Sequence, residues 1–183
     1  MKKTITLLAA AMMLGTALLQ AQDNTQAPEM PKPVKEHEWL KKFAGEWTCE
    51  GECLAPDGSK ATSTGEESTR MLGDFWAVTE GSGEGMGMPF SHVFVLGYDP
   101  VKKKYVGTWV DSMTGKLWLY EGTVENGKLT LETAGDCPMT GKHLQFRDEI
   151  TFPDPDTKVF TSSVSEDGET WVPAMTMTAK RKK

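Results

Sequence analysis

The sequence predicts an all-β chain: a single antiparallel up-and-down β-barrel of about ten strands, with a short N-terminal helix closing one end. Three observations carry that expectation. From about residue 46 to residue 181 the apolar residues recur with a period of two, and no second helical period of useful length appears. Turn dipeptides punctuate the stretch: Asp57-Gly58, Asn126-Gly127 and Asp167-Gly168 suit tight antiparallel connections. About ten short strands in one domain make a sandwich or a closed barrel, and a closed barrel leaves no edge exposed.

The elements follow in order. Residues 1–21 hold Lys2 and Lys3, an apolar run over 5–19 and the small Ala21, the pattern of a secretory signal peptide cleaved after Ala21. The run is shorter than the ~20 residues of a membrane span, and no cysteine near the cut offers a lipid anchor. A periplasmic or secreted protein is expected. Residues 22–33, QDNTQAPEMPKP, are polar and proline-bearing and read as a disordered leader. The domain then spans 34–183, opening with VKEHEWLKKFAG, an amphipathic helix whose apolar residues are Val34, Trp39, Leu40 and Phe43 and which Gly45 stops. Strands are expected at about 46–53, 61–72, 74–83, 91–99, 103–112, 116–125, 128–134, 143–153, 157–166 and 170–181. Asp99-Pro100 and the stretch 153–156 mark two further turns. The terminal AKRKK reads as a solvated strand end.

Composition narrows the function. Without residues 1–21 the chain keeps 162 of its 183 residues, and the loss of Lys2 and Lys3 from its 20 basic residues leaves 18 against 26 acidic, a net charge of −8. Such an acidic chain does not suit nucleic acid or anionic lipid. The expected partner is a small hydrophobic or amphipathic molecule, with the chain a monomer or homodimer.

Four stretches in order carry a likeness to known proteins: EHEWLKKFAGEW over 36–47, LGYDP over 96–100, GTWVDSM over 107–113 and LWLYEGT over 117–123. Together they resemble a bacterial family, domain-of-unknown-function family 1579, over about residues 34–181. A helix followed by Gly45-Glu46-Trp47 is similar to the start of a lipocalin-type (calycin) barrel, where the tryptophan plugs one end of the cavity. The resemblance implies that fold and, since the family has no established activity, no particular chemistry.

Several strands carry one charge on an apolar face, and an isolated charge inside a barrel needs a partner or water. Glu80 aligns with Trp76 and Val78, Asp111 with Tyr105 and Trp109, Glu121 with Leu117 and Leu119, and Asp148 with Leu144 and Phe146. His92 aligns with Phe94 and Leu96, and Arg70 and Arg147 are the available cations. The ligand-binding residues expected from this pattern are Trp109, Asp111, Tyr105, His92, Arg70 and Glu121, an aromatic pocket with a polar head-group site. Parity leaves open whether Leu117, Leu119 and Glu121 or Trp118 and Tyr120 face the same cavity.

Other chemistry is weaker. Met86, Met88 and His92 cluster in GEGMGMPFSH, with Met175 and Met177 in AMTMT, and thioethers suit copper(I). A haem would need His92 or His143, neither in a recognisable motif. Cys49 and Cys53 lie about 13 Å apart on a regular strand, too far for a disulfide. A bridge from Cys137 to one of them is therefore expected, with one thiol left over. No nucleophile elbow, phosphate loop or zinc-protease motif occurs. The sequence thus points to non-catalytic binding of a small, partly apolar molecule without a cofactor. The alternatives are a haem or copper protein, and an enzyme using carboxylates around Asp111.

Overall fold

The structure, a computed structural model, describes residues 29–54, 59–85, 87–138 and 140–183. The expected signal peptide, most of the expected leader and the expected turn at Asp57-Gly58 lie outside the described residues. A helix α1 (Lys35–Leu40) runs into a 3₁₀ turn (Lys41–Phe43), and ten strands follow: β1 (Gly45–Leu54), β2 (Lys60–Leu72), β3 (Trp76–Gly85), β4 (Met88–Asp99), β5 (Lys104–Asp111), β6 (Trp118–Glu125), β7 (Lys128–Asp136), β8 (His143–Asp154), β9 (Thr157–Ser165) and β10 (Val172–Arg181). Each strand pairs antiparallel with its sequence neighbour, and β1 pairs with β10 to close the barrel. Each expected strand is present.

Local chemistry fixes the connections. Asn126 and Gly127 both take positive φ, 51° and 81°, and Glu125 pairs directly with Lys128. That is the two-residue turn whose twist matches the flanking strands. Asp99 turns β4 into β5 by accepting from the Val101 and Lys102 amides at 2.8 and 3.1 Å. Between β8 and β9 the register shifts after Thr151, and Asp154 meets Thr157 across the next two-residue turn.

The helix plugs one end. Its inward face is His37, Leu40 and Phe43, all at most 2 % exposed, while Val34 stays exposed. Burying a histidine where an apolar residue is expected is allowed because its polar edge is used. The Val34 amide donates to His37 Nδ1 at 3.0 Å, and Phe75 and Tyr98 pack edge-on against the ring. Below the barrel's midpoint the interior is solid, filled by Leu40, Phe43, Leu96, Tyr105, Leu129, Leu131 and Ile150, with Trp39, Phe152 and Phe160 packed against them.

Trp47 joins helix, first strand and last strand. It is fully buried, its indole N–H donates to the Phe43 carbonyl at 2.8 Å, and the Arg181 guanidinium stacks 4.1 Å from its ring. Arg181 also donates to the carbonyls of Ala44, Lys42 and Pro155. The terminal basic run is therefore not simply a solvated strand end, because its arginine clamps the closure. Trp47→Ala is expected to cost ~3–5 kcal/mol, as truncation of a large buried aromatic does. The urea-denaturation midpoint measures it, and an unchanged midpoint would remove Trp47 from this role.

Candidate functional site

The interior also carries a row of polar residues. Pairing across β1 to β5 sets one row of inward residues: Trp47 opposite Glu67, Glu67 near Gly81, Gly81 opposite His92, and His92 opposite Asp111. Gly81 is needed there. A Cβ at that position would lie 2.2–2.9 Å from the His92 ring, so only glycine lets the imidazole lean along the wall.

Glu67 and Lys158, 8 % and 5 % exposed, form a buried ion pair. The Lys158 ammonium also lies 5.2 Å over the Trp47 ring. Two charges taken out of water persist because each neutralises the other. His92 sits 3.7 Å from Glu67 Oε1, beyond hydrogen-bond distance, and both of its ring nitrogens are buried without a hydrogen-bond partner. Burial pushes its pKa below the usual histidine value, outweighing the pull of Glu67, so the imidazole is neutral. On its other side His92 stacks on Trp109 at 4.1 Å and 15°, and Phe90 lies nearly parallel to it at 5.9 Å.

Asp111 has a positioning role. Its Oδ2 accepts from Trp109 Nε1 at 3.0 Å, and its Oδ1 accepts from the Met113 and Thr114 amides at 2.8 and 2.9 Å. The carboxylate holds both the indole and the loop after β5, and these bonds occupy both oxygens. Asp148 stands elsewhere on the inner wall, 8 % exposed, with Oδ1 unpartnered. Burial pushes its pKa up to about 6 against the opposing effect of the Ser162 and Tyr120 hydroxyls.

A cavity of about 30 Å³ opens among Cys49, Glu67, Phe90, His92, Met175 and Met177. That is room for two water molecules or one ion. A larger hollow, about 420 Å³, is a solvent-open depression at the β7–β8 rim beside Glu132, His143 and Glu166. It brings no buried polar atom to bear.

The expected residues divide. Trp109, Asp111 and His92 share the site. Tyr105 faces inward but at the helix end, where its hydroxyl donates to the Glu36 carbonyl at 3.0 Å. Arg70 lies exposed on the outer wall, because its neighbours Thr69 and Met71 take the inner face. Glu121 also points outward, bonded to Lys102 and Lys104, since Trp118 and Tyr120 are the β6 side chains that turn inward. Glu80 is exposed as well. His143 is exposed beside Asp136. Of the methionine cluster, Met86 lies outside the described residues and Met88 stands at the rim, 46 % exposed.

Cys49 and Cys53 carry free thiols, so the expected bridge from either to Cys137 is not formed. The reason is position: β1 lies four strands round the wall from β7, at roughly 5 Å per step, beyond the reach of a disulfide. Sequence reading missed the Glu67–Lys158 pair. The alternation of Glu67 with Thr69 and Met71, and of Lys158 with Phe160, is the signal that marks both as inward.

A family model described as "Protein of unknown function (DUF1579)" matches residues 32–181. No curated protein matches. Among solved structures, the S-type phycobiliprotein lyase CPES from Guillardia theta aligns with a TM-score of 0.54 and 16 % identity, covering 84 % of this chain and 99 % of that one. Rv2717c from M. tuberculosis aligns at 0.57 and 15 %, covering 83 % and 100 %. At these identities the likeness is one of fold.

Asp148 gives a pH test. Folded, its carboxyl keeps its proton up to about 6, while the unfolded chain loses it near 3.8. The native state therefore holds the extra proton across that window, and this contribution to stability is lost as pH rises through it. His92 acts in the opposite sense, its contribution vanishing as pH falls below its usual 6.5. Asp148→Asn should remove the first trend alone, by up to about 3 kcal/mol at pH 7. Parallel stability curves for the variant and the native protein between pH 4 and 7 would show the carboxyl to be hydrated.

Proposed function

The chain belongs to the DUF1579 family of proteins of unknown function, and from that premise we propose that it is an exported, non-catalytic barrel that takes a small, partly apolar molecule at its open half. His92 carries the reading. Its ring is stacked flat between aromatic neighbours on the inner wall, and neither ring nitrogen has a hydrogen-bond partner. A buried polar group left unpaired costs ~1–3 kcal/mol, which a bound molecule's donor or acceptor would recover. The closed ten-strand fold and the small cavity beside His92 support binding within the barrel. Export rests on the pattern of residues 1–21.

Size constrains the occupant. Small-molecule sites span ~300–1,000 Å³, and the cavity here is about 30 Å³. An organic ligand must therefore enter at the mouth by displacing half-buried Phe90, and a flat aromatic or conjugated group would take its place against the His92 ring. A haem macrocycle would need far more room, and its second candidate, His143, is on the outer surface. The enzyme alternative loses its base, because Asp111 already accepts three hydrogen bonds.

Fluorescence titration with a flat aromatic amine, an aromatic carboxylate and a fatty acid tests the reading. A flat ligand should bind, and Trp109→Phe or Asp111→Asn should each weaken it about tenfold, equivalent to ~1.4 kcal/mol. Binding that ignores both substitutions places the site elsewhere, and no binding by any of the three counts against a ligand of this class.

A further inference from the structure

The sulfur-bearing wall of the cavity has no part in that reading. Cys49 is buried on β1, and on the neighbouring β10 Met177 stands opposite Gly51 and Met175 opposite Cys53. Gly51 has no side chain to compete for the inner face, so the Met177 thioether faces the same space as the Cys49 thiol. Across the cavity is His92, 8 % exposed, with both nitrogens unpartnered. We infer that the cavity between Cys49, His92, Met175 and Met177 is a binding site for one soft monovalent cation, copper(I) in the first place.

Three observations converge on that class of ligand. The first is size: about 30 Å³ admits an ion with no side chain displaced. The second is donor chemistry. Two thioethers, one thiol and one imidazole select copper(I) over hard or borderline ions, and among the described residues no three His, Cys, Asp or Glu side chains converge as a metal site. The third is charge. Glu67 is neutralised by Lys158, so the cavity holds no unbalanced negative charge to compensate a second positive one. When a monocation binds, the Cys49 S–H bond breaks, a metal–sulfur bond forms and the proton leaves to solvent. The site's net charge is then the same before and after. A divalent ion would leave an extra buried positive charge, which is costly. No electron is transferred. The set differs from the rim methionines, sharing only His92 with them, and it does not rest on the organic-ligand reading.

Anaerobic titration of the full chain with copper(I), against a chromophoric copper(I) chelator, tests the inference. Cys53→Ser and Cys137→Ser are introduced first, so that other thiols do not report. The expected result is one equivalent bound, a near-ultraviolet thiolate-to-copper band, and a Kd that falls about tenfold per pH unit because one proton leaves per metal. Silver(I) should compete and zinc(II) should not. Cys49→Ser should abolish the band. Met175→Leu with Met177→Leu, which nearly conserves volume, should keep the melting temperature and weaken binding at least tenfold. Copper held only when Cys53 and Cys137 are present, zinc bound as tightly, or affinity unchanged in the leucine pair would each overturn the site.

Discussion

The pairing of β1 with β10, sealed by the Arg181 guanidinium on the Trp47 ring, is the contact on which the rest of this barrel depends. A sheet of ten strands is stable as a barrel only if its first and last strands meet in register, and the closing register brings distant residues face to face. Arg181 reaches the carbonyls of Ala44 and Lys42 just before β1, and Trp47 reaches back to Phe43. The end of the chain thereby holds the helix in the mouth that the beginning of the chain must plug. Trp47 also lies opposite Glu67, the first of the row that runs through Gly81 to His92 and Asp111. Closure at the base therefore sets the height of the polar residues above it.

The helix end is packed with aromatic rings meeting edge-to-face, as Trp39 meets Tyr105 and Phe43 meets Phe152. Such packing supplies stability. Polar groups are set into this core: the Glu67–Lys158 ion pair beside the Phe43 and Trp47 rings, Asp148 opposite Leu131 with one oxygen unpartnered, and the unpartnered imidazole of His92. Buried ion pairs add little net stability and unpaired polar atoms subtract from it. The aromatic and aliphatic packing around them carries the fold in spite of that cost.

Period and turn chemistry made the strands legible in the sequence, since both are local. Parity within β5 was legible too: Tyr105, Trp109 and Asp111 share the inner face. On β6 it was ambiguous, because Leu117 and Leu119 are as apolar as their neighbours. The structure leaves those leucines 56 % and 64 % exposed and buries Trp118, so the bulky ring takes the interior and Glu121 goes outside with it. Arg70 followed the same rule. The Glu67–Lys158 pair was beyond such reasoning, because its members are 91 positions apart and meet only through closure. The cysteines failed for the matching reason: no local pattern reveals how far round the wall two strands stand.

His92 belongs to both proposed sites, and this ties them together. Its ring face lies in the stack with Trp109 and Phe90, its nitrogen-bearing edge leans over Gly81, and the side chain also lines the sulfur-bearing cavity. A cation on one ring nitrogen would fix the imidazole's orientation and use the lone pair that an organic ligand could otherwise engage. It would leave the other nitrogen protonated, and so a donor. Copper would thus convert the wall from one that offers an acceptor or a donor, according to tautomer, into one that only donates. Ligands that depend on donating to His92 would be weakened by the metal, and those that accept from it strengthened. By reciprocity each class would shift copper affinity by the same factor it experiences. Gly81 makes that coupling mechanical as well as electronic, since the imidazole leans across it and any side chain there would move the ring out of both sites.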